Sequence, residues 1–311
     1  MQINKIVDEL EHIHDIEILY MRELGSRAHN LDSSKSDHDL RILFRQNPTD
    51  YIKMNSYTSN INHKFDSEWE VKGWDIKRFS ELIYESNLTM VEFLNSPLIH
   101  YTKNVYFETI IQNLQDYISK NVNLVNLYYD YHSATSSMYN RFIKRWKINE
   151  EEIRNSSMGK YLDTMEHSPR IHINNGEKKL SFGRAGNYSI EKAQELNFVT
   201  ETTFTRTVKK YLITLRNICC AKWIKIRKEI PPLDFIELMN NQDYLDKNVE
   251  CNINNLIKKK KNGNDEEIND TLLNKFIELE LSTNTLDYEK FNTKELNKQV
   301  INEFIDDVFN Y

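Results

Sequence analysis

The segment beginning at Gly25 reads G-S-R-A-H-N-L-D-S-S-K-S-D-H-D-L-R, and its residue types and spacing could hold a metal–phosphate complex. Gly25-Ser26 follows an alternating segment and is expected to open a helix, where free backbone N–H groups bind phosphate oxygens well. Ten residues then separate Ser26 from Asp37. Asp37 and Asp39 stand two apart at the start of the next alternating segment, so on a strand their carboxylates share a face. Two hard oxygen ligands beside a phosphate-binding turn suit Mg²⁺, or Mn²⁺, which commonly takes one or two carboxylates plus substrate phosphates. A D-x-D alone carries little weight; the pairing with G-S in a strand–turn–helix–strand context is much more specific.

The elements that must position these residues follow from periodicity. Residues 3–14 place Ile6, Val7, Leu10 and Ile13 at helical spacing. Residues 15–22 alternate through Ile16, Ile18 and Tyr20, and residues 39–45 through Leu40, Ile42 and Phe44, so both are expected strands. A third strand is expected over about 67–72, ending at Gly73, with Asp75 capping a helix that carries Ile76, Phe79, Leu82 and Ile83. The rest is read as mostly helical. Long apolar periodicities run over 105–132 and 200–228, the second stopped by Pro231-Pro232, and another helix is expected from Leu296 to Val308. Residues 258–270 are read as a polar solvent loop, and a hairpin is expected around I-H-I-N-N-G-E-K-K-L-S-F within the polar stretch 147–200.

Composition narrows the class. The chain has 311 residues with 41 Lys+Arg against 47 Asp+Glu, a formal charge of −6, which argues against a generic nucleic-acid coat while leaving room for a local basic groove. Only 7 residues are Gly, which favours helix over a many-turned β architecture. No stretch approaches the roughly 18 apolar residues of a membrane span. Acids inside the first apolar pattern argue against a signal peptide, and adjacent Cys219-Cys220 with a lone Cys251 form neither a disulfide framework nor a C-x-x-C site, so a reduced, cytoplasmic protein is expected.

With its downstream motifs the chain resembles the predicted nucleotidyltransferases of the DNA polymerase β superfamily, in the branch associated with RNA ligases. G-S followed by D-x-D is that superfamily's signature. The branch also shows a G-W-D-[LI]-[RK]-K-like stretch, matched by E-V-K-G-W-D-I-K-R-F at 70–79. Its N-x-x-x-x-E-[WF]-L-x-S-P-x-x-Y segment is matched, with one more residue before the Tyr, by N-L-T-M-V-E-F-L-N-S-P-L-I-H-Y at 87–101 and its basic helix by K-K-Y-L-I-T-L-R at 209–216. The resemblance covers 15–101 and 205–240, and leaves 145–200 and the region after 245 as this chain's own additions.

That resemblance implies an α+β fold: a small mixed-sheet nucleotidyltransferase domain over 1–104, then a larger, mostly helical domain over 105–311 with a polar insertion near 147–200. It implies Mg²⁺- or Mn²⁺-dependent transfer of a nucleotide from an NTP, ATP among them, to a hydroxyl on an RNA end, a nucleotide or a protein. The alternative is a non-catalytic or protein-modifying binding module. Gly25, Ser26, Arg27 and Ser36 are the expected nucleotide contacts of the signature. Asp37 and Asp39 are the expected catalytic metal ligands. Superfamily members carry a third carboxylate on a neighbouring strand; Glu70 is favoured, Asp75 is the rival with a competing helix-cap role, and Glu68 is a weaker option.

From Arg206 to Lys228 the chain has eight basic residues and no acid. Lys210 and Arg216, inside the family-like motif, are expected to clamp triphosphate or RNA backbone across a cleft from the carboxylates. Lys222 to Lys228 read as a solvated face. His38 should point away from the two aspartates, Cys219 and Cys220 are read as buried small apolar residues, Glu92 and Ser96-Pro97 as a structural helix end, and Tyr128, Tyr129, Tyr131 and His132 as packed aromatic core.

Overall fold

The computed structural model describes residues 2–54, 57–66, 68–143, 145–162, 169–174, 177–182, 186–202, 207–283, 285–291 and 295–310. Arg206, at the head of the basic run, lies outside them. By internal contacts the chain forms two compact units. The first comprises 1–131, 219–264 and 286–311; the second comprises 132–218 and 265–285. The boundary expected at 104 falls inside the first unit.

The first unit is built on a five-stranded mixed sheet. Its helices and strands begin with α1 (Ile3–His14), β1 (Glu17–Leu24), the one-turn α2 (Gly25–Ala28) and β2 (His38–Arg45). They continue with β3 (Asn60–Lys64), β4 (Trp69–Asp75), α3 (Ile76–Tyr84), α4 (Leu88–Asn95) and β5 (Ile99–Thr102). The sheet order is β3-β4-β2-β1-β5. β2 and β4 run parallel, and the other pairs are antiparallel.

Alternation sets which residues go where. Leu40, Ile42 and Phe44 of β2 turn to one face and pack with Ile18, Met21, Val71 and the apolar stripe Ile6, Val7 and Leu10 of α1. The other face is covered by α3 and α4, where Phe93 meets Tyr20, Trp74 and Phe79 edge-on at 6.3, 6.1 and 5.7 Å between ring centres. Phe79 and Phe93 are fully enclosed; burial of such side chains contributes about 2–3 kcal/mol each. In keeping with the Gly-poor composition, α5 (Val105–Asn121) and α6 (Leu124–Met138) fill the expected long helical stretch. It is broken at Val122-Asn123, where Asn123 Oδ1 accepts from Val125 N at 3.0 Å.

The second unit carries β6 (Arg145–Ile148), α7 (Glu150–Arg154), α8 (Gly159–Leu162), β7 (Arg170–Asn174), β8 (Glu177–Ser181), β9 (Asn187–Ser189), α9 (Ile190–Glu195) and β10 (Val199–Thr202). The expected hairpin is β7 against β8, in register Ile171↔Leu180. Its turn, 175–176, lies outside the described residues. Ile153, Leu180, Phe182, Ile190, Phe198 and Val199 make this unit's small core.

The remaining helices are α10 (Val208–Arg227), α11 (Phe235–Asn240), α12 (Lys247–Lys261), α13 (Thr271–Ser282) and α14 (Lys298–Phe309). α10 stops at Lys228, which takes a left-handed φ of 59°, before the two prolines are reached. The loop expected at 258–270 is corrected: Lys258 to Lys261 form the last turn of α12. Cations at a helix C-terminus complement its dipole, which makes the lysine run a helix end rather than a break. Among the described residues no helix is long and apolar enough to cross a membrane.

Candidate active site

β2 and β4 bring the acidic residues together. In their parallel register Asp39 lies opposite Glu70 and Arg41 opposite Lys72. Neighbouring strands lie roughly 4.8 Å apart and register partners share a face, so Asp39, Arg41, Glu70 and Lys72 form one charged quartet. Asp37 immediately precedes β2, two residues from Asp39. The quartet is paired internally: Arg41 Nη2 lies 4.0 Å from Asp39 Oδ1, and Lys72 Nζ lies 3.1 Å from Glu70 Oε1. Burial lowers the pKa of Arg41, while the negative charges of Asp39 and Glu70 oppose that shift.

Asp75 is positioned for a different task. It is five residues along β4 from Glu70, an odd offset that turns it to the opposite face, roughly 16 Å away along the strand. Its side chain is fully buried at the N-terminus of α3. Tyr51 OH, Gln46 Nε2 and Tyr57 OH donate to its carboxylate at 2.6, 3.1 and 3.2 Å, and Lys77 N donates at 2.9 Å. Burial, followed by the Asp75 carboxylate, pushes the phenol pKa values of Tyr51 and Tyr57 up.

The signature turn is packed against the same carboxylate edge. Gly25 has a left-handed φ of +70°, and a Cβ placed there would sit 2.1 Å from Asp39 Oδ2. Only a residue without a side chain leaves that carboxylate room. Gly25→Ala is expected to cost about 1–2 kcal/mol from the backbone alone and to displace Asp39 as well; a melting curve and a divalent-metal titration on the purified variant check both effects.

Arg27 ties the turn to the strand entry, donating to Ser36 O at 3.0 Å with its Nε 3.3 Å from Glu23 Oε1. Ser36 Oγ in turn accepts from Ser33 N at 3.0 Å. Ser26 stands at the second position of α2, and its carbonyl accepts from Leu31 N at 2.8 Å.

Two arrangements were not read from spacing. Glu23, 2% exposed, sits under the turn and receives His38 Nδ1 at 2.9 Å and His100 Nε2 at 2.7 Å. His38 also stacks on Trp69, 3.8 Å between ring centres, on the face opposite Asp39, as alternation expects. The signal for Glu23 was a charged pair, Arg22-Glu23, near the end of a strand whose middle is apolar. The second arrangement is a latch at the far end of the turn: Asn30 donates to Asp234 at 2.9 Å, Lys261 donates to Asn30 at 2.7 Å, and Phe235 N donates to His29 O at 3.0 Å. Glu92, read as structural, accepts from Tyr131 OH at 3.1 Å and lies 4.0 Å from His29 Nε2.

Lys210 and Arg216 belong to the second unit. Lys210 Nζ lies 3.9 Å from the centre of the Phe142 ring, and burial, then the neighbouring Lys209, lowers its pKa. Arg216 is enclosed, 2% exposed. Cys219 and Cys220 are buried free thiols.

The oxygen donors at 37, 39 and 70 have the chemistry a hard divalent cation requires, and Gly25 leaves the Asp39 carboxylate a gap that a side chain would fill. Among the described residues, no group of three or more acidic, His or Cys side chains is arranged to hold a metal ion; Asp39 and Glu70 face cations instead. Metal would therefore be held by Asp37, Asp39 and Glu70 only with a change in those ion pairs.

Comparison with known proteins agrees with this architecture. An uncharacterized protein of Bacillus subtilis, YcgL, is 23% identical over 282 residues, covering 89% of this chain and 84% of that protein. The model of the RNA repair pathway DNA polymerase beta family matches residues 1–307. The match runs through 145–200 and past 245, so these segments are part of the family's length and not additions peculiar to this chain. This chain belongs to the RNA repair pathway DNA polymerase beta family.

Proposed function

We propose that the protein transfers a nucleoside monophosphate from an NTP to a hydroxyl acceptor. The observation that carries this reading is the register of β2 and β4, which sets Glu70 beside Asp39 while the side-chain-free Gly25 abuts the same carboxylate. Asp37, Asp39 and Glu70 would hold Mg²⁺ or Mn²⁺, which when bound offsets triphosphate charge and favours the attacking alkoxide. Ser26 and adjoining backbone N–H groups, with Gly25, Arg27 and Ser36 shaping the turn, hold the terminal phosphates. The acceptor oxygen attacks the α-phosphorus, the bond to the β-phosphate oxygen breaks, and pyrophosphate leaves. Glu70 takes up the acceptor's proton. Arg216, expected to clamp phosphate, is enclosed at 2% exposed and so is not offered to one, and Lys210 lies in the second unit against Phe142.

An RNA end is the favoured acceptor, supported by the family's description as an RNA repair pathway family. Incubation with each α-labelled NTP, Mg²⁺ or Mn²⁺, and total RNA tests this reading. Label in RNA supports it. Label in the protein itself or in a small product reassigns the acceptor, and no transfer with any NTP favours a binding module instead.

A further inference from the structure

The carboxylate face carries its own cations, and their placement bears on how metal is loaded. Arg41 is the next residue on the Asp39 face of β2, mostly buried, its Nη1 donating to Leu40 O at 2.9 Å and its Nη2 4.0 Å from Asp39 Oδ1. Lys72, its register partner on β4, bridges to Glu70 at 3.1 Å. A guanidinium cannot give up its proton in a protein, so this charge is permanent. Asp39 and Glu70 therefore have counter-ions before any ligand arrives.

We propose that Arg41, seconded by Lys72, is a resident counter-ion that keeps free divalent metal off Asp39 and Glu70 and admits it as the metal–NTP complex. The inference rests on the reading of these carboxylates as metal ligands. The sign of the charge on the incoming species decides the outcome. A free dication about 6 Å from a fixed guanidinium is repelled enough to lose roughly tenfold in affinity even at the dielectric of water, and more in a partly buried site. A metal–triphosphate complex carries net negative charge, so the same guanidinium attracts it. Arg41 thus weakens one ligand and strengthens the other, and a residue that merely supported the fold would shift both affinities the same way.

The test measures Mn²⁺ binding by electron paramagnetic resonance, on the full chain, with Mn²⁺ alone and with Mn²⁺ plus the α,β-methylene analogue of each NTP, whose α–β bond cannot be cleaved. Arg41→Met is expected to bind free Mn²⁺ at least tenfold more tightly than wild type and the Mn–analogue complex several-fold more weakly. Arg41→Lys should behave as wild type. Lys72→Met, at a more exposed site, should move both affinities in the same senses as Arg41→Met by a smaller factor, and it carries the test if Arg41→Met does not fold. Unchanged or weaker free Mn²⁺ binding, or two affinities moving together, overturns the proposal. Asp39→Asn separates the two levels. If wild type binds the Mn–analogue complex and Asp39→Asn does not, the metal site stands whatever Arg41 does. If Asp39→Asn makes no difference, the metal-site reading fails and this inference falls with it.

Discussion

Asp37→Asn and Asp39→Asn should each reduce nucleotide transfer by about a thousandfold or more, equivalent to roughly 4 kcal/mol of transition-state stabilisation. Each substitution removes a negative oxygen ligand and leaves the shape of the side chain nearly unchanged. Neither residue belongs to the packed core; Asp39 keeps about a quarter of its side chain accessible, 24%. The variants should therefore unfold within a few degrees of wild type while losing turnover. Initial rates with a common NTP and acceptor, beside melting curves, check this. Wild-type rates in both variants would show that the acidic pair does not carry the chemistry.

The second large effect separates Glu70 from Asp75. Asp75→Ala would leave two phenol hydroxyls, the Gln46 amide and the first turn of α3 without their shared acceptor. A lost N-cap costs about 1 kcal/mol and each of the two less exposed donors, Tyr51 OH and the Gln46 amide, about 1–3 kcal/mol, so a total of roughly 3–7 kcal/mol is expected; Tyr57, 37% exposed, can turn to water. Against a total stability of about 5–15 kcal/mol that is a severe loss. Glu70→Gln, by contrast, disturbs one partly exposed ion pair with Lys72. It should change stability by no more than about 1 kcal/mol and still reduce transfer by at least about a hundredfold. Denaturant unfolding and turnover on the two variants give opposite patterns if the assignment is right. A stable, inactive Asp75→Ala with a fully active Glu70→Gln would reverse it.

The site was legible where chemistry and local pattern coincide. Leu40, Ile42 and Phe44 alternate strictly, so β2 and the face that Asp39 takes follow from period two; Asp37 stands just before the strand. Asp75 precedes an apolar helical pattern, and its capping role follows from that position. Other features had no local signal. β3 is an edge strand with Ile61 its one buried residue, and its polar sequence N-I-N-H-K reads as a loop. The latch joining Asn30 to Asp234 and Lys261 links residues more than 200 positions apart, which no spacing rule anticipates. The counter-ions Arg41 and Lys72 are visible as residues in the sequence, but their pairing with Asp39 and Glu70 depends on strand register, and a parallel register is fixed only by the folded sheet.

The most direct measurement of the central claim compares α-labelled with γ-labelled NTP. The protein is incubated with each NTP, divalent metal and RNA, and both the acceptor and the released phosphate are followed. Nucleotidyl transfer predicts label in the acceptor from the α position alone, with one pyrophosphate released per nucleotide added, and loss of both signals in Asp39→Asn. Label entering the acceptor from the γ position, or neither incorporation nor pyrophosphate with any NTP, would contradict it.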